Sequence, residues 1–590
     1  MTNDEIAKIL YEISEYLEME GTLFKPRAYQ KVAQTIEGLE ESVKEIYKSG
    51  GLKAISKIPG VGVSIAEKIE ELVKTGRLKY YEALKRKTPV DLATFTKVEG
   101  LGPKNIKKLY QELKIKNLED LEKAAKTGKI SKLEGFGSKS EENILKGIEF
   151  VKSSGSRFIL GFVMPQVSEI ETRLKNLKEV EKLIVVGSVR RRKETIGDID
   201  ILVISKKPKP VMGYFVNMPE VARVFAHGET KSAIKLKNGL DVDLRVVPEE
   251  SYGAALNYFT GSKEHNVALR EIAVKKGLKL NEYGLFRGQR QIAGRTEEDL
   301  YKALGMDYVE PEMRENLGEI ELARKRVLPK LIDYNGLEGD LQIQTNWTDG
   351  ANSIEEMAKA AMAHGLKYIA ITDHTKRLAM TGGLDEKRIQ MQWKEIDKIN
   401  KKLTPTPKKV GVPTTSVGEI KNFKFKILKG TECDILKDGS LDLPDQILAK
   451  CDVVGVSVHS YFNLSREDQT ERIKRAMGNP HVDILFHPTG RIIQKRAAYD
   501  VDIDEIIKIA KKTGTILEID AYPDRLDLKD EYVRKCVEAG VKMAIDSDAH
   551  SITHFPYLEY GIVQARRGWA TKNDIINAWS LDKMMNFIKK

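Results

Sequence analysis

Two apolar runs, joined by a turn rich in glycine and arginine, place the narrowest limits on how this chain can fold. Residues 183–186 lead into the turn and residues 201–204 leave it, and both have the composition of short buried strands. Asp198 and Asp200 stand two positions apart on the second strand, so both carboxylates face one side. Two neighbouring carboxylates repel each other unless a cation lies between them. Because carboxylate oxygens are hard ligands, the cation they suit is Mg²⁺. The segment therefore predicts a small sheet with a divalent-cation site.

The turn itself carries groups that bind phosphate. Gly187 and Ser188 end the first strand and offer a backbone N–H and a hydroxyl, while Arg191 adds a fork-shaped donor. An Asp-x-Asp pattern on its own is usually a strand end with solvated carboxylates. Here the pattern follows Gly197 and an arginine cluster. This combination favours a site where cations and phosphates meet.

A two-metal phosphoryl-transfer site needs a third carboxylate. Residues 240–247 alternate like a strand and offer two candidates, Asp241 and Asp243. Both share a face with Arg245, so the pattern alone does not choose between them.

Three motifs resemble the family X DNA polymerases and occur in the expected order: the turn from Gly187 to Asp200, then Asp243-Leu244-Arg245, then Tyr258-Phe259-Thr260-Gly261-Ser262. The resemblance implies that the catalytic, metal-binding carboxylates are Asp198, Asp200 and Asp243, with Mg²⁺ or Mn²⁺ as the cofactor. It implies nucleotide contacts within and just after the motifs, at Gly187, Ser188, Arg191, Gly197, Tyr258, Phe259, Gly261, Asn266 and Arg270. It also implies a DNA contact at Arg245. The substrates would be dNTP and gapped or primer–template DNA.

Composition agrees with a large protein that has a polyanionic partner. The chain has 590 residues, a net charge of +11 and 31% charged residues, enough for several domains. Its three cysteines lack ligand spacing, and neither a signal core nor a membrane-spanning run is present. We expect a monomer in the cytoplasm with no membrane association.

A Gly-x-Gly hairpin before a helix occurs three times in the first part of the chain. Such a hairpin presents backbone N–H groups to a phosphate. The glycines of the three copies are Gly60 and Gly62, Gly100 and Gly102, and Gly135 and Gly137. One copy alone would be a plain helix cap, but three predict helix-hairpin-helix units that hold the DNA backbone without reading sequence.

The first 80 residues also resemble the amino-terminal lyase domain of the family. The resemblance aligns Lys68 with the Schiff-base lysine, which needs a depressed pKa to attack an abasic sugar. Ser64 stands where well-known relatives carry another lysine. A solvated helix lysine is the alternative. A third interpretation is 5′-phosphate binding by Lys25, Arg27 and Lys31.

From about residue 336, short strands alternate with amphipathic helices, which predicts a parallel α/β barrel. Histidines and carboxylates stand at the carboxyl ends of these strands. This half resembles the PHP (polymerase and histidinol phosphatase) domain, a distorted barrel that holds up to three metal ions. The resemblance implies Zn²⁺ or Mn²⁺ held by Asp349, His374, Glu432, His459, His487, Asp548 and His550. Residues 404–421 predict an inserted surface loop.

The chain departs from the PHP pattern at Gln342 and Gln344, where the family has His-x-His or Gln-x-His. An amide oxygen is a poorer ligand than imidazole for Zn²⁺ or Mn²⁺. One metal position depends on this pair together with Glu432 and Asp548. The other two positions keep their ligands, which are Glu432, His459 and His487 for one and Asp349, His374 and His550 for the other. We therefore expect a 3′–5′ exonuclease or phosphoesterase activity that is weakened or lost.

The predicted architecture is multidomain, with α+β and α/β parts. Its divisions are a lyase-like helical domain (1–80), helix-hairpin-helix fingers (81–150), a nucleotidyltransferase palm (151–250), a thumb (251–315), a linker (316–336) and a distorted (β/α)7 PHP barrel (337–590).

The predicted function is template-directed DNA synthesis in repair, by gap filling and two-metal nucleotidyl transfer. The alternatives are a polymerase with a purely structural barrel and a non-templated nucleotidyltransferase. The Tyr258 to Ser262 motif and the three hairpins argue against the second of these.

Overall fold

The computed structural model describes residues 1, 3–22, 24–37, 39, 41–96, 98, 101–154, 157–403 and 425–589. Gly100 and the segment 404–421 lie outside these described residues. Within the described part of the chain, no helix is long and apolar enough to cross a membrane.

The amino-terminal part is helical. Its elements are α1 (Asn3–Met19), α2 (Lys25–Glu37), α3 (Val43–Ile55), α4 (Val63–Thr75), α5 (Lys79–Lys87), α6 (Leu92–Phe95), α7 (Pro103–Leu113), α8 (Leu118–Lys126) and α9 (Ser138–Ser154). Ile6, Leu10, Ile13 and Leu17 recur at helical spacing on α1 and are all buried. This apolar stripe anchors α1 in the core that the helices share.

The Gly-x-Gly hairpins lie at helix starts. Gly62 is the N-cap of α4, and Gly102 is the N-cap of α7. Gly60 and Gly135 have φ angles of +80° and +85°, a conformation that glycine adopts without steric cost. Because the N-caps of α4 and α7 are glycines, they have no side chain that could bond the first backbone N–H groups, and these groups remain for a phosphate.

The middle of the chain first forms a mixed sheet with flanking helices. Its elements are β1 (Phe158–Ile159), α10 (Leu160–Lys175), β2 (Lys182–Val186), α11 (Gly187–Arg190), β3 (Thr195–Ile196), β4 (Asp198–Ile204), α12 (Pro208–Val216), β5 (Val221–His227), β6 (Lys231–Leu236) and β7 (Asp241–Val247). The main sheet has the order β2-β4-β7-β6-β5, with β4 and β7 parallel and the other pairs antiparallel.

A helical and hairpin region follows the sheet. Its elements are α13 (Tyr252–Thr260), α14 (Lys263–Lys275), β8 (Lys279–Asn281), β9 (Gly284–Arg287), β10 (Arg290–Ala293), α15 (Glu297–Ala303) and α16 (Glu319–Lys325). The strands β10-β9-β8 form a separate antiparallel sheet.

Alternation along β4 decides which side of the sheet carries the carboxylates. Ile199 and Ile201 face the core that contains α10 and α12. Leu202 instead packs with Ala255 of α13 on the opposite face. Since side chains alternate along a strand, Asp198 and Asp200 share the α13 face with Leu202.

The carboxyl-terminal half is a parallel barrel, as predicted. Its elements are β11 (Gly339–Asp340), α17 (Ile354–Ala363), β12 (Tyr368–Ile371), α18 (Glu386–Leu403), β13 (Lys426–Asp434), α19 (Asp445–Leu448), β14 (Val453–Ser457), α20 (Arg466–Met477), β15 (Ile484–Leu485), α21 (Ile503–Thr513), β16 (Ile516–Asp520), α22 (Asp530–Ala539), β17 (Met543–Asp546), α23 (Leu558–Arg567) and α24 (Leu581–Ile588).

The barrel strands follow one another in chain order from β11 to β17, and every neighbouring pair is parallel. A bridge between Ile343 and Ala549 nearly closes the circle. Parallel strands all present their carboxyl ends at one rim, so ligands spaced far apart in sequence meet there.

The barrel packs directly against the palm. Ile159 forms a small apolar cluster with Ile493 and Leu526 of the barrel. At the edge of this contact, Arg491 donates to Glu194 at 2.8 Å. Helix α23 lies along the same face, which brings barrel side chains close to the turn after β2.

Candidate active sites in the palm and the barrel

The register between β4 and β7 places each of the two candidate carboxylates of β7 opposite a carboxylate of β4. Asp200 lies opposite Asp243 in the parallel β4–β7 pair, whereas Asp198 lies opposite Asp241. Oδ1 of Asp241 lies 2.6 Å from Nζ of Lys235, and Oδ2 of Asp243 lies 3.4 Å from Nζ of Lys231. Burial, and then the charges of Asp198 and Asp243, raise the pKa of Asp200 to about 6. The carboxylates of Asp198, Asp200 and Asp243 are oxygen donors of the kind that suits Mg²⁺.

The turn after β2 lies against these carboxylates. Gly187 has a φ angle of +67°, and a Cβ there would lie 2.7 Å from Oδ2 of Asp200. The positive φ angle favours glycine, and a Cβ would also force the Asp200 carboxylate to move. The residues that follow form the short helix α11 and not a strand end. Within it, Oγ of Ser188 is buried and has no hydrogen-bond partner among the described residues, so it is available to a ligand.

A cavity of about 440 Å³ brings the palm motifs together. All nine residues that the resemblance implied as nucleotide contacts line it, beside Asp198 and Asp200. Three basic residues that the sequence reasoning missed also line the cavity: Arg157, Lys193 and Lys263. Lys193 lies within the first motif and Lys263 directly follows the third, a signal that could have identified them. Arg157 lies outside every motif.

Hydrogen bonds hold the motifs of this cavity in place. A guanidinium nitrogen of Arg191 donates to the backbone carbonyl of Thr260, which joins the turn to the end of α13. Asn266 donates to the carbonyl of Tyr258 at 2.7 Å. Arg270 lies one helical turn beyond Asn266 on α14 and lines the cavity as well.

The remaining predicted DNA contact lies beside the carboxylates. Arg245 is on β7, and its guanidinium lies 4.8 Å from the ring centroid of Phe259. A cation over an aromatic face is held there by electrostatic attraction.

A network of buried ion pairs also holds the turn after β2 in place. Arg190 donates to both carboxylate oxygens of Glu297, at 3.0 and 2.6 Å. Arg314, which is fully buried, donates to Glu297 at 2.5 Å. Burial raises the pKa of Glu297, but the charge of Arg314 and the hydrogen bond from Arg190 outweigh it and hold the pKa at about 2. The turn after β2 is thus fixed to α15 by charge as well as by packing.

Two groups of side chains at the barrel rim have the spacing of metal ligands. In the first, Oδ2 of Asp349 lies 3.6 Å from Nε2 of His374 and 3.7 Å from Nε2 of His550. The ligand atoms of these three residues all lie within 4.8 Å of one another. Burial raises the pKa of Asp349, but the hydrogen bond and charge of His550 hold it at about 2.

The second group joins His374 and His459 to Glu432, whereas the resemblance implied His487 in the place of His374. The carboxylate of Glu432 lies near all three histidines. Its Oε1 lies 3.1 Å from Nε2 of His459 and 3.0 Å from Nε2 of His487. Its Oε2 lies 3.3 Å from Nδ1 of His374. The other ring nitrogen of His459 is 3.3 Å from a carboxylate oxygen of Asp434, a partner that would orient the ring. Imidazole and carboxylate donors in both groups suit Zn²⁺ or Mn²⁺.

The third metal position has two amides where the PHP pattern has imidazole. Nε2 of Gln344 donates to Oε2 of Glu432 at 2.7 Å, while its Oε1 has no hydrogen-bond partner among the described residues. Gln342 is fully buried, and neither of its amide atoms has a partner among the described residues. Nε of Arg525 lies 3.5 Å from Oδ2 of Asp548 and 3.4 Å from Oδ2 of Asp520. A guanidinium thus lies beside these carboxylates, a contact that the sequence reasoning missed.

Two of the rim residues have unusual backbone conformations. His487 and Asp548 have φ angles of +30° and +49°. Such angles are strained for residues other than glycine, and this strain clusters at functional sites.

Lys68 lies on α4, and its Nζ donates to the carbonyl and the hydroxyl of Ser64, both at 2.9 Å. It also lies 4.9 Å from the ring centroid of Tyr80. Burial, and to a lesser extent the charge of Lys25, lower its pKa. A lowered pKa is what a nucleophilic lysine needs.

Comparison with known families agrees with this geometry. The matching family models are a helix-hairpin-helix domain (residues 1–78), a SAM-like helix-hairpin-helix tandem (91–149), a nucleotidyltransferase domain (167–276), the DNA polymerase beta thumb (255–315) and a PHP domain (340–522).

Curated relatives match both halves. The DNA polymerase/3'-5' exonuclease PolX of Bacillus subtilis (strain 168) is 36% identical over 596 residues, covering 100% of both chains. DNA polymerase lambda of Rattus norvegicus is 24% identical over 347 residues, which are 53% of this chain and 56% of that one. A probable phosphatase of Thermoanaerobacter sp. (strain X514) is 28% identical over 250 residues, covering 40% of this chain and 89% of that protein.

The fold and the palm site define a nucleotidyltransferase of the polymerase type joined to a PHP barrel. The chain belongs to the family X DNA polymerases that carry a PHP domain.

Proposed function

We propose that the palm adds dNTP to a primer 3′ end under the direction of a template, and that its substrate in the cell is gapped DNA under repair. The observation that carries this proposal is the meeting of Asp200 and Asp243 across β4 and β7, beside a cavity lined by Arg191 and Asn266. Membership of the polymerase family adds support.

Each predicted palm residue would have a defined role. Asp198, Asp200 and Asp243 would hold Mg²⁺ or Mn²⁺. The bound cations would supply charge that makes the primer 3′-hydroxyl more acidic and stabilises the leaving pyrophosphate. Ser188 and Arg191 would bind the triphosphate, because they offer a free hydroxyl and a guanidinium.

The remaining palm and thumb residues would position the substrates. The segment from Tyr258 to Gly261 would contact the sugar of the incoming nucleotide. Asn266 and Arg270 would contact the nucleotide and the template in the minor groove, and Arg245 would contact DNA.

The other parts of the polymerase half would hold DNA. We propose that segments 1–80 and 81–150 grip the backbone through their hairpins, while segments 151–250 and 251–315 form the palm and thumb. The linker 316–336 would join them to the barrel at 337–590. Gly60, Gly62, Gly102, Gly135 and Gly137 would present backbone N–H groups to phosphates, and so would Gly100.

Primer extension with and without a template strand tests the polymerase proposal. We expect incorporation only with the template, in the order that the template dictates. Asp200→Ala should abolish incorporation and leave the affinity for gapped DNA nearly unchanged, because DNA binding depends mainly on phosphate contacts elsewhere. Template-independent addition, or comparable incorporation by the variant, would contradict the proposal.

For the barrel we propose a 3′–5′ exonuclease or phosphoesterase activity that acts on DNA 3′ ends and is weaker than that of a barrel with a full ligand set. Support comes from the two donor groups around Asp349 and Glu432. The relative named as a 3'-5' exonuclease adds to it. These groups would hold Zn²⁺ or Mn²⁺, which would polarise a phosphodiester and activate water. The weakening follows from Gln342 and Gln344.

A purely structural barrel is the second candidate, and the contacts between α23 and the palm favour it. Metal content, measured together with degradation of a 3′-labelled strand, separates the two candidates. The assay would use Asp200→Ala, so that the polymerase site does not contribute, with and without His459→Ala. If His459→Ala lowers degradation of the labelled strand, the barrel is an exonuclease or phosphoesterase. If degradation is equally weak with and without this substitution, the barrel is structural.

We also infer a monomer in the cytoplasm. Cys433, Cys451 and Cys536 are free thiols, as expected in a reducing compartment. Light scattering of the purified chain tests the monomer directly.

A further inference from the structure

One arginine of the barrel reaches the turn that lines the nucleotide cavity. Arg567 ends α23, and its side chain is only 3% exposed. Its Nη1 donates to the backbone carbonyl of Arg191 at 2.9 Å and to Oε1 of Glu315 at 3.3 Å. Its Nε and Nη2 donate to Oδ2 of Asp530 at 2.9 and 2.6 Å. A single side chain therefore connects α22 of the barrel to the palm.

Glu315 is the centre of this contact. Nε of Arg191 lies 3.2 Å from its Oε1, and Nζ of Lys193 lies 3.5 Å from the same atom. Both Arg191 and Lys193 line the nucleotide cavity. Burial, and next the charge of Arg567, lower the pKa of Lys193, which reflects how close these cations are.

The charges of this cluster decide what the cavity offers to a triphosphate. Arg191, Lys193 and Arg567 face the carboxylates of Glu315 and Asp530, which leaves one positive charge. Without Arg567 the net charge of the cluster would be zero. The carboxylate of Glu315 would then attract the side chains of Arg191 and Lys193 more strongly. A neutral cluster attracts a polyanion less strongly than a positive one.

We propose that Arg567 is a positioning residue for dNTP binding, so that the PHP barrel supplies part of the polymerase's nucleotide site. Arg567 fixes the backbone of Arg191, while Thr260 fixes its guanidinium from the other side. It also neutralises Glu315, which leaves Arg191 and Lys193 able to bind phosphate. The inference rests on the triphosphate role proposed above for Arg191.

Steady-state primer extension with the full chain tests the proposal. Arg567→Met should raise the KM for dNTP about 10-fold, the size expected for a lost charge-assisted hydrogen bond, and change kcat less. The affinity for primer–template and the metal content of the barrel should stay unchanged. Arg567→Lys keeps the positive charge but lacks the several N–H donors of the guanidinium. Its KM for dNTP should therefore lie between those of the unaltered chain and of Arg567→Met.

Arg472→Met is the matched control. Arg472 is a buried barrel arginine on α20 whose guanidinium, among the described residues, donates to barrel groups such as the carbonyl of Leu436. Its removal should leave the KM for dNTP unchanged. An equal rise in KM with both variants would show that any loss of a buried barrel arginine has this effect, and would overturn the proposal.

A double-mutant cycle with Glu315→Gln adds a measurement that general destabilisation would not produce. Because Arg567 acts through Glu315, the two effects on KM should be coupled and not additive. Additive effects would overturn the proposal, as would an unchanged KM in Arg567→Met when Arg191→Ala raises it. If Arg191→Ala also leaves KM unchanged, the proposed nucleotide site is wrong and the inference falls with it.

Discussion

Asp200 and Asp243 lie directly opposite one another on the parallel strands β4 and β7, and Asp241 lies two positions earlier on the same face of β7, opposite Asp198. Lys235 is 2.6 Å from Asp241, closer than Lys231 is to Asp243 at 3.4 Å. This difference leads to a specific prediction. Asp243→Ala should lower incorporation on the order of 10³-fold, because it removes one of the three carboxylates that would hold the cations. Asp241→Ala should retain activity within about 3-fold. Single-turnover primer extension measures both, and equal losses would refute the assignment of Asp243.

The Glu297 network predicts a pH-dependent loss of stability. Because its pKa is held at about 2, below the ordinary value of 4.5, Glu297 stabilises the fold above pH 4.5. This contribution is lost as the pH falls from about 4.5 to about 2. At neutral pH, Glu297→Gln should cost about 3–5 kcal/mol, since it leaves Arg314 buried without its partner.

Urea unfolding followed by hydrogen exchange in α15 measures this effect. The variant should also lose part of the pH dependence between 4.5 and 2. Glu298→Gln, an exposed change on the same helix, is the control and should be nearly neutral. If the two variants are equally stable at pH 7, the network does not contribute as described.

The two glutamines of the barrel predict a gain of metal. Gln342→His together with Gln344→His should restore imidazole donors beside Glu432 and Asp548, raise the metal content and increase degradation of labelled 3′ ends. Elemental analysis and the degradation assay measure the two effects. A single change at Gln342 serves as the comparison. If the double variant gains neither metal nor activity, ligand loss does not explain the barrel, and Arg525 beside Asp548 becomes the feature to change next.

The lowered pKa of Lys68 predicts a trappable intermediate. If Lys68 forms a Schiff base with an abasic 5′ end, borohydride reduction should link protein to DNA, and Lys68→Ala should abolish the link while gap filling continues. Lys74→Ala, an exposed position on the same helix, should retain it. Trapping that survives in Lys68→Ala would assign the reaction to another lysine. No trapping in the unaltered chain would favour 5′-phosphate binding alone.

The sequence by itself determined much of the fold and of both sites. Asp198 and Asp200 share a face because the period of a strand is two residues. The barrel, with His374, His459 and His487 at its strand ends, followed from strands that alternate with helices. Strand faces and strand ends depend on residue spacing within a short segment, so they can be predicted from the sequence before any tertiary contact is known.

Only the tertiary structure decided which distant groups meet. It placed Asp243 opposite Asp200 and Asp241 opposite Asp198, because the register between β4 and β7 is set by packing and not by alternation within β7. It placed Arg525 beside Asp548 and brought Arg567 to Arg191, 376 residues away along the chain. Contacts of this kind arise from the packing of separate elements, and no local pattern in the sequence encodes them.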